Sequence, residues 1–291
     1  MNDIFLLSLA TIPPIAILFF LFSLDKLANR NKTYVFYGFF AGAILAIPIV
    51  LSESFLMNNI FKANAFTYSF LVAGLVEEGF KAGAIFFVLG MNFTIKELEE
   101  DIDLFGFILI GVAVSLGFAT FENIIYVFKG GLETGIIRAL FTIPLHASCG
   151  AVFMLVLAVF EDKTDDYGVI IPILMALFFA VLLHGTYNFL LMLEMIPNIV
   201  PFGMIFLVVI FLLTLLENIT LYSLHDKLDF GNGKILNQSE YLKDAINELN
   251  SDENWWVMVF FIGGFLLAYN GYLDWVIDSE FIKNIKAILF N

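Results

Sequence analysis

Long apolar runs alternate with short polar breaks along most of the chain. Runs near the length of a membrane crossing fall at 4–24, 34–52, 66–90, 104–128, 136–160, 169–193, 200–222 and 255–277. A bilayer core about 30 Å thick is crossed by about 20 helical residues, each rising about 1.5 Å. The pattern therefore predicts an all-α fold, a polytopic transmembrane helical bundle of about eight spans. The breaks at 25–32, 57–64, 96–103, 129–133, 161–168 and 194–201 carry the polar, Gly and Pro punctuation of loops. Pro48, Pro144 and Pro172 lie inside spans, where neighbouring helices satisfy the freed backbone groups. The one long polar segment, 223–254, reads as a connector outside the membrane. Within it Ser239, Glu240 and Leu242 open either a short amphipathic surface helix or a solvated stretch. The first run has no basic leader and no small-residue cleavage pattern, so it reads as a retained helix. No internal repeat is visible, and residues 1–291 read as a single integral membrane domain.

Composition removes the alternative of a soluble fold. The chain is 60% hydrophobic and 14% charged, with a mean hydropathy of +0.92, whereas charged residues make up about 25% of a soluble domain. The formal charge of −14 resides mostly in the short breaks, so it describes loops and gives no sign of a nucleic-acid partner. The single Cys149 excludes an intramolecular disulfide. Lys and Arg are commoner in the loops after spans one, three, five and seven, which predicts outward-facing termini.

Against that background the polar residues inside the spans stand out. An ionisable side chain at the centre of a membrane helix costs about 2.5–3.5 kcal/mol on insertion scales, so each needs a partner, a cavity or a function. Span three reads Gly74-Leu-Val-Glu77-Glu78-Gly-Phe-Lys81. Lys81 lies one helical turn after Glu77, where the two can pair, and such a pair by itself serves helix packing. Glu78 points about 100° away from Glu77 and is left without a named counter-charge, the condition in which a carboxyl takes up acid-base work. Span four carries Glu122, Asn123 and Tyr126, span five carries His146 just after Pro144, and span six carries His184, Tyr187 and Asn188. Glu217 and Asn218 read as an interfacial or packing feature of span seven, and His225 falls in a loop.

These groups share a depth. Measured inward from the side of the loops after spans three and five, Glu78 lies at about 18 Å, His146 at about 21 Å, His184 at about 22 Å and Glu122 at about 27 Å. The layer is displaced away from that loop-rich side, which under the charge rule makes it nearer the extracytoplasmic face. Two chemistries suit it. Glu and His hold zinc or another divalent metal and activate its water; alternatively Glu78 or Glu122 activates water directly while His184 and Asn188 stabilise an oxyanion. No HExxH, Gly-x-Ser-x-Gly elbow or intramembrane Gly-x-Gly-Asp is present.

The motifs Glu77-Glu78-x-x-Lys81, Phe121-Glu122-Asn123-x-x-Tyr126, His146 and His184-Gly185-x-Tyr187-Asn188, in this order on successive spans, resemble the signature of the PrsW family of intramembrane proteases. The likeness covers about residues 74–190. It implies a multi-pass enzyme of the bacterial cytoplasmic membrane with a catalytic core of four helices at 66–193. Its substrate would be a membrane protein or peptide within the lipid bilayer, of the anti-sigma-factor kind cleaved at an extracytoplasmic site in a signalling cascade. The motif plan is also similar to that of the CAAX protease and abortive-infection superfamily. There the second motif is Phe-x-x-x-His, and Phe118-x-x-x-Glu122 stands in its place, which leaves His146 as the substitute imidazole.

On this reading Glu77, Glu78, Glu122, His146, His184 and Asn188 are the catalytic set. Glu78 is base or ligand, Glu77 its orienting partner through Lys81, and Asn188 the oxyanion donor. Glu78, Glu122, His146 and His184 are the candidate metal ligands, and Lys81, Asn123, Tyr126 and Tyr187 support them. Rows of intramembrane Glu, His and Lys also mark proton-coupled transporters and channels, or a non-catalytic scaffold in which the polar layer specifies helix pairing. Transporters tend to carry repeats and broken helices, and neither is found here. The oligomeric state is not legible in the chain.

Overall fold

A computed structural model describes residues 2–24, 32–61, 64–90, 104–161 and 170–193, with positions 201, 203–206, 208–210 and 212. All elements among the described residues are helical. They are α1 (Asp3–Leu24), α2 (Lys32–Asn59), a π-helical turn (Thr67–Gly74) continuing as α3 (Leu75–Gly90), α4 (Leu104–Ile137), a second π-helical turn (Arg138–Thr142) continuing as α5 (Ile143–Glu161), and α6 (Ile170–Met192). The expected runs at 66–90, 104–128, 136–160 and 169–193 each coincide with one of these rods, and α2 continues past its expected end at 52. The expected span at 255–277, the connector at 223–254, Glu217, Asn218 and His225 lie outside the described residues, as does most of 200–222.

Among the described residues, four stretches are long and apolar enough to cross a membrane: Asp3–Phe22, Thr33–Asn59, Leu104–Ala158 and Ile170–Met192. The third is a hairpin. At Gly131 the backbone takes φ 73° and ψ −155°, a conformation that glycine adopts without a Cβ clash, and the chain turns back there. Gly111 consequently lies against Gly150, and Glu122 against both Arg138 and His146. The rod Thr67–Gly90 is of crossing length too, and carries Glu77, Glu78 and Lys81 among its buried residues.

Helix α4 is the central post, buried without interruption from Ile108 to Thr120. α1, α2 and α5 each pack against it, while α6 packs on α5 and on the π-helical turn before α3. Without a hydrophobic force between helices in lipid, close backbone approach supplies the packing. A Cβ on Gly42 would overlap the Val114 carbonyl, and one on Gly117 the Phe39 carbonyl, so α2 and α4 cross backbone to backbone. α4 and α5 meet similarly at Gly111 and Gly150. The outward faces keep large apolar side chains such as Ile4, Phe19, Ile44, Phe55 and Phe178, as helices facing lipid require.

Candidate active site

The rod carrying the two glutamates places three charges in one and a half turns. Lys81 follows Glu77 by four residues and Glu78 by three, so its ammonium reaches both. The Nζ stands 2.8 Å from Glu78 Oε1 and 3.4 Å from Glu77 Oε2. The structure thus supplies Glu78 with the counter-charge that helical spacing alone assigns to Glu77, and Glu78 is the nearer partner. The third donor of Lys81 points to His146, whose Nδ1 lies 3.0 Å away. Its ammonium also lies 4.4 Å from the centre of the Phe118 ring.

His184 arrives from α6. Its Nδ1 lies 2.7 Å from Glu78 Oε1, and its Nε2 faces Glu77 Oε2 at 3.9 Å. The rings of His146 and His184 meet edge to face with centroids 5.2 Å apart. Gly185 lets this part of α6 approach the neighbouring rod, since a Cβ there would run into the Phe70 ring. Glu77, Glu78, Lys81, His146 and His184 are each between 1% and 4% exposed, so the cluster is shut off from the surface. Glu53 of α2 brings a third carboxyl to the neighbourhood of Glu77.

A second layer lies behind His146. Its Nε2 is 3.0 Å from Glu122 Oε2, and Arg138 Nη2 donates to the same oxygen at 2.7 Å. Arg138 Nε donates to Asn123 Oδ1, and the guanidinium lies 4.3 Å from the centre of the Tyr126 ring. Tyr187 is buried beside Leu145 and Cys149 in a small apolar cluster, while Asn188, one residue on, is half-buried.

The sequence-derived residues therefore separate into two groups. Glu77, Glu78, His146 and His184 present ligand atoms that all lie within 4.8 Å of one another. Glu122 falls outside this group and reaches it through His146. Arg138 and Glu53 were missed. Arg138 begins a span, where a cation reads as interfacial, and Glu53 follows the last residue of the run at 34–52, where an acid reads as loop.

The donor set fits a divalent ion. Zinc takes imidazole nitrogen and carboxylate oxygen in sets of four, and metal-bound imidazoles characteristically give their other nitrogen to a carboxylate. His146 has a carboxylate in that place, with Nε2 on Glu122 and Nδ1 facing Lys81 at 3.0 Å and Glu77 at 4.0 Å. A buried set of this kind can bind a metal, activate water beside a carboxylate, or stabilise charge developing on a carbonyl oxygen.

The family model described as PrsW family intramembrane metalloprotease matches residues 30–214. Among curated proteins, protease PrsW of Clostridioides difficile (strain 630) is 34% identical over 204 residues, covering 66% of this chain and 80% of the relative. Protease PrsW of Halalkalibacterium halodurans is 34% identical over 191 residues, 65% of this chain and 84% of the relative. That of Bacillus subtilis (strain 168) is 32% identical over 187 residues, 64% of this chain and 82% of the relative. No solved structure matches. The matched region contains both layers of the polar cluster, and the chain belongs to the PrsW family of intramembrane proteases.

Proposed function

We propose that the chain cleaves a peptide bond of a membrane protein substrate, with Glu77, Glu78, His146 and His184 as the reacting centre. The observation that carries this reading is the meeting of two acids and two imidazoles inside the bundle, within 4.8 Å of one another. The hydrogen bonds favour a division between the two acids. Glu78 is held by Lys81 and His184 at 2.8 and 2.7 Å, which suits an orienting residue. Glu77 Oε2 has longer approaches of 3.4, 3.9 and 4.0 Å to Lys81, His184 and His146, which suits the carboxylate that takes a proton.

In the hydrolysis Glu77 removes a proton from water as the water oxygen bonds to the scissile carbonyl carbon. The same proton then passes to the amide nitrogen as the C–N bond breaks, leaving an acid and an amine. Asn188 and His184 are assigned to the developing oxyanion. A zinc or similar ion held by Glu77, Glu78, His146 and His184 would supply a more acidic water and a polarised carbonyl. A second, metal-free reading is favoured by Lys81, whose ammonium already contacts three of these four side chains.

The apolar groove of about 1010 Å³ between α2 and α3 runs along the rod that carries the acid pair, and its lining includes Leu45, Phe55, Val76, Gly79 and Phe80. It supports a membrane-embedded substrate rather than a soluble peptide. An anti-sigma-factor-like protein cut near the extracytoplasmic face belongs to this proposal, as does a core confined to residues 66–193.

The test is cleavage of a single-pass membrane protein by the purified full chain in proteoliposomes. Glu77→Gln and His184→Ala variants that keep the wild-type melting temperature should lose at least about 100-fold in rate, the scale of general acid-base catalysis. Retention of wild-type cleavage by both would overturn the reading, and proton flux blocked by the same substitutions would favour a transporter. Metal content of the active protein, with loss of activity in chelator and its return on adding zinc, separates the metal reading from the metal-free one.

A further inference from the structure

Arg138 lies outside the four-residue centre and outside every motif that marks the family in this chain, yet it is buried and bonded to two neighbours. Its guanidinium is a planar fork with a fixed spread of donors and no acceptor. One arm, Nη2, donates to Glu122 Oε2 at 2.7 Å, and the other, Nε, donates to Asn123 Oδ1. Two adjacent residues of α4 are thus gripped by one residue from the other arm of the hairpin. The ring of Tyr126, one turn further along α4, covers the guanidinium at 4.3 Å.

The backbone makes this grip compatible with His146. Along an uninterrupted α-helix the eight steps from Arg138 to His146 rotate the face by about 80°. The π-helical turn Arg138–Thr142 accommodates an extra residue and reduces that offset to about 20°. Both side chains then address Glu122 Oε2.

The ring nitrogens of His146 have opposite partners. Lys81 has donors and no acceptor, so Nδ1, 3.0 Å from its Nζ, is the lone-pair nitrogen. The carboxylate of Glu122 accepts, so Nε2 carries the proton and donates to it. Glu122 keeps this alignment only while its oxygen is fixed, and among the described residues the charged group that fixes it is Arg138.

We propose that Arg138 is a positioning residue of the site. By clamping Glu122 and Asn123 it holds His146 in the Nε2–H tautomer, with the Nδ1 lone pair turned toward Glu77, Glu78 and Lys81. The inference rests on the proposed site but not on proteolysis, because tautomer and turnover are read separately.

The experiment uses the full chain with ring-15N histidine in detergent micelles. The sequence has three histidines, and a His146→Gln variant assigns the signal. His146 is expected to show a protonated Nε2 and an unprotonated Nδ1 in the wild type. The opposite tautomer overturns the proposal even if cleavage is observed. Arg138→Met should blur or shift the His146 signal and lower kcat by about 10- to 100-fold, the usual effect of losing an outer partner, with KM little changed. Glu122→Gln should do the same, and the double variant should be no worse than the poorer single one, because both act through one ring. Losses that multiply, or an Arg138→Met variant with native kcat and native His146 signal, overturn it. Arg138→Lys keeps the charge without the fork and covers failure of the methionine variant to fold; an unchanged His146 signal together with unchanged kcat in that variant counts equally against the proposal.

Discussion

At the scale of residues, the cluster satisfies charge away from the protein surface. Lys81 is 1% exposed and its three donors go to Glu78, Glu77 and His146. Removing one member of a buried charged set leaves the others uncompensated, at about 3–5 kcal/mol. Lys81→Met is therefore expected to lower the stability of the detergent-solubilised protein by about that amount in denaturant unfolding. The double variant Lys81→Met with Glu78→Gln should recover part of the loss, since the closest orphaned carboxylate is then neutral. A Lys81→Met protein as stable as the wild type would show that these acids are not held by the lysine. The residues concerned were visible in the sequence because ionisable groups at mid-span are costly and hence conspicuous. Arg138 and Glu53 were not, because each sits where a span gives way to a loop and a charge there needs no explanation.

At the scale of elements, glycine divides the helices into faces that touch backbone and faces that do not. Gly42 and Gly117 bring α2 and α4 together with no room for a methyl group, whereas a Cβ on Gly83 of α3 meets nothing within 4 Å. Gly42→Leu should force those helices apart and cost about 1–3 kcal/mol or more, in the range of over-packed cores, while Gly83→Ala should leave the melting temperature within a few degrees of wild type. Equal sensitivity at both positions would contradict the crossing described. The positions of the rods could be read from run length and hydropathy. Their rotation about their own axes could not, and this decides that Glu77 rather than Glu122 joins Glu78 and the two histidines. Helical spacing orders directions on one helix but says nothing of where a neighbour stands. The π-helical turns before α3 and α5 reset the facing of everything after them, and no residue pattern announced either turn.

At the scale of the whole molecule, the lone thiol is a convenient reporter. Cys149 is fully buried on α5 beside Leu145 and Tyr187. It should resist a maleimide reagent in the folded protein and react completely once the bundle is opened in hot dodecyl sulfate. Rapid labelling under native conditions would mean that α5 does not pack as described. The hairpin around Gly131 has a consequence for biogenesis. Glu122 and Arg138 lie on its two arms and pair across it, and Lys81 pairs with Glu77 and Glu78 within a single rod. Each segment handed to the insertion machinery can therefore enter lipid with its own counter-ion already attached. The imidazoles that meet the two acids of the α3 rod come from α5 and α6, so the reaction centre exists only once all three rods have packed together.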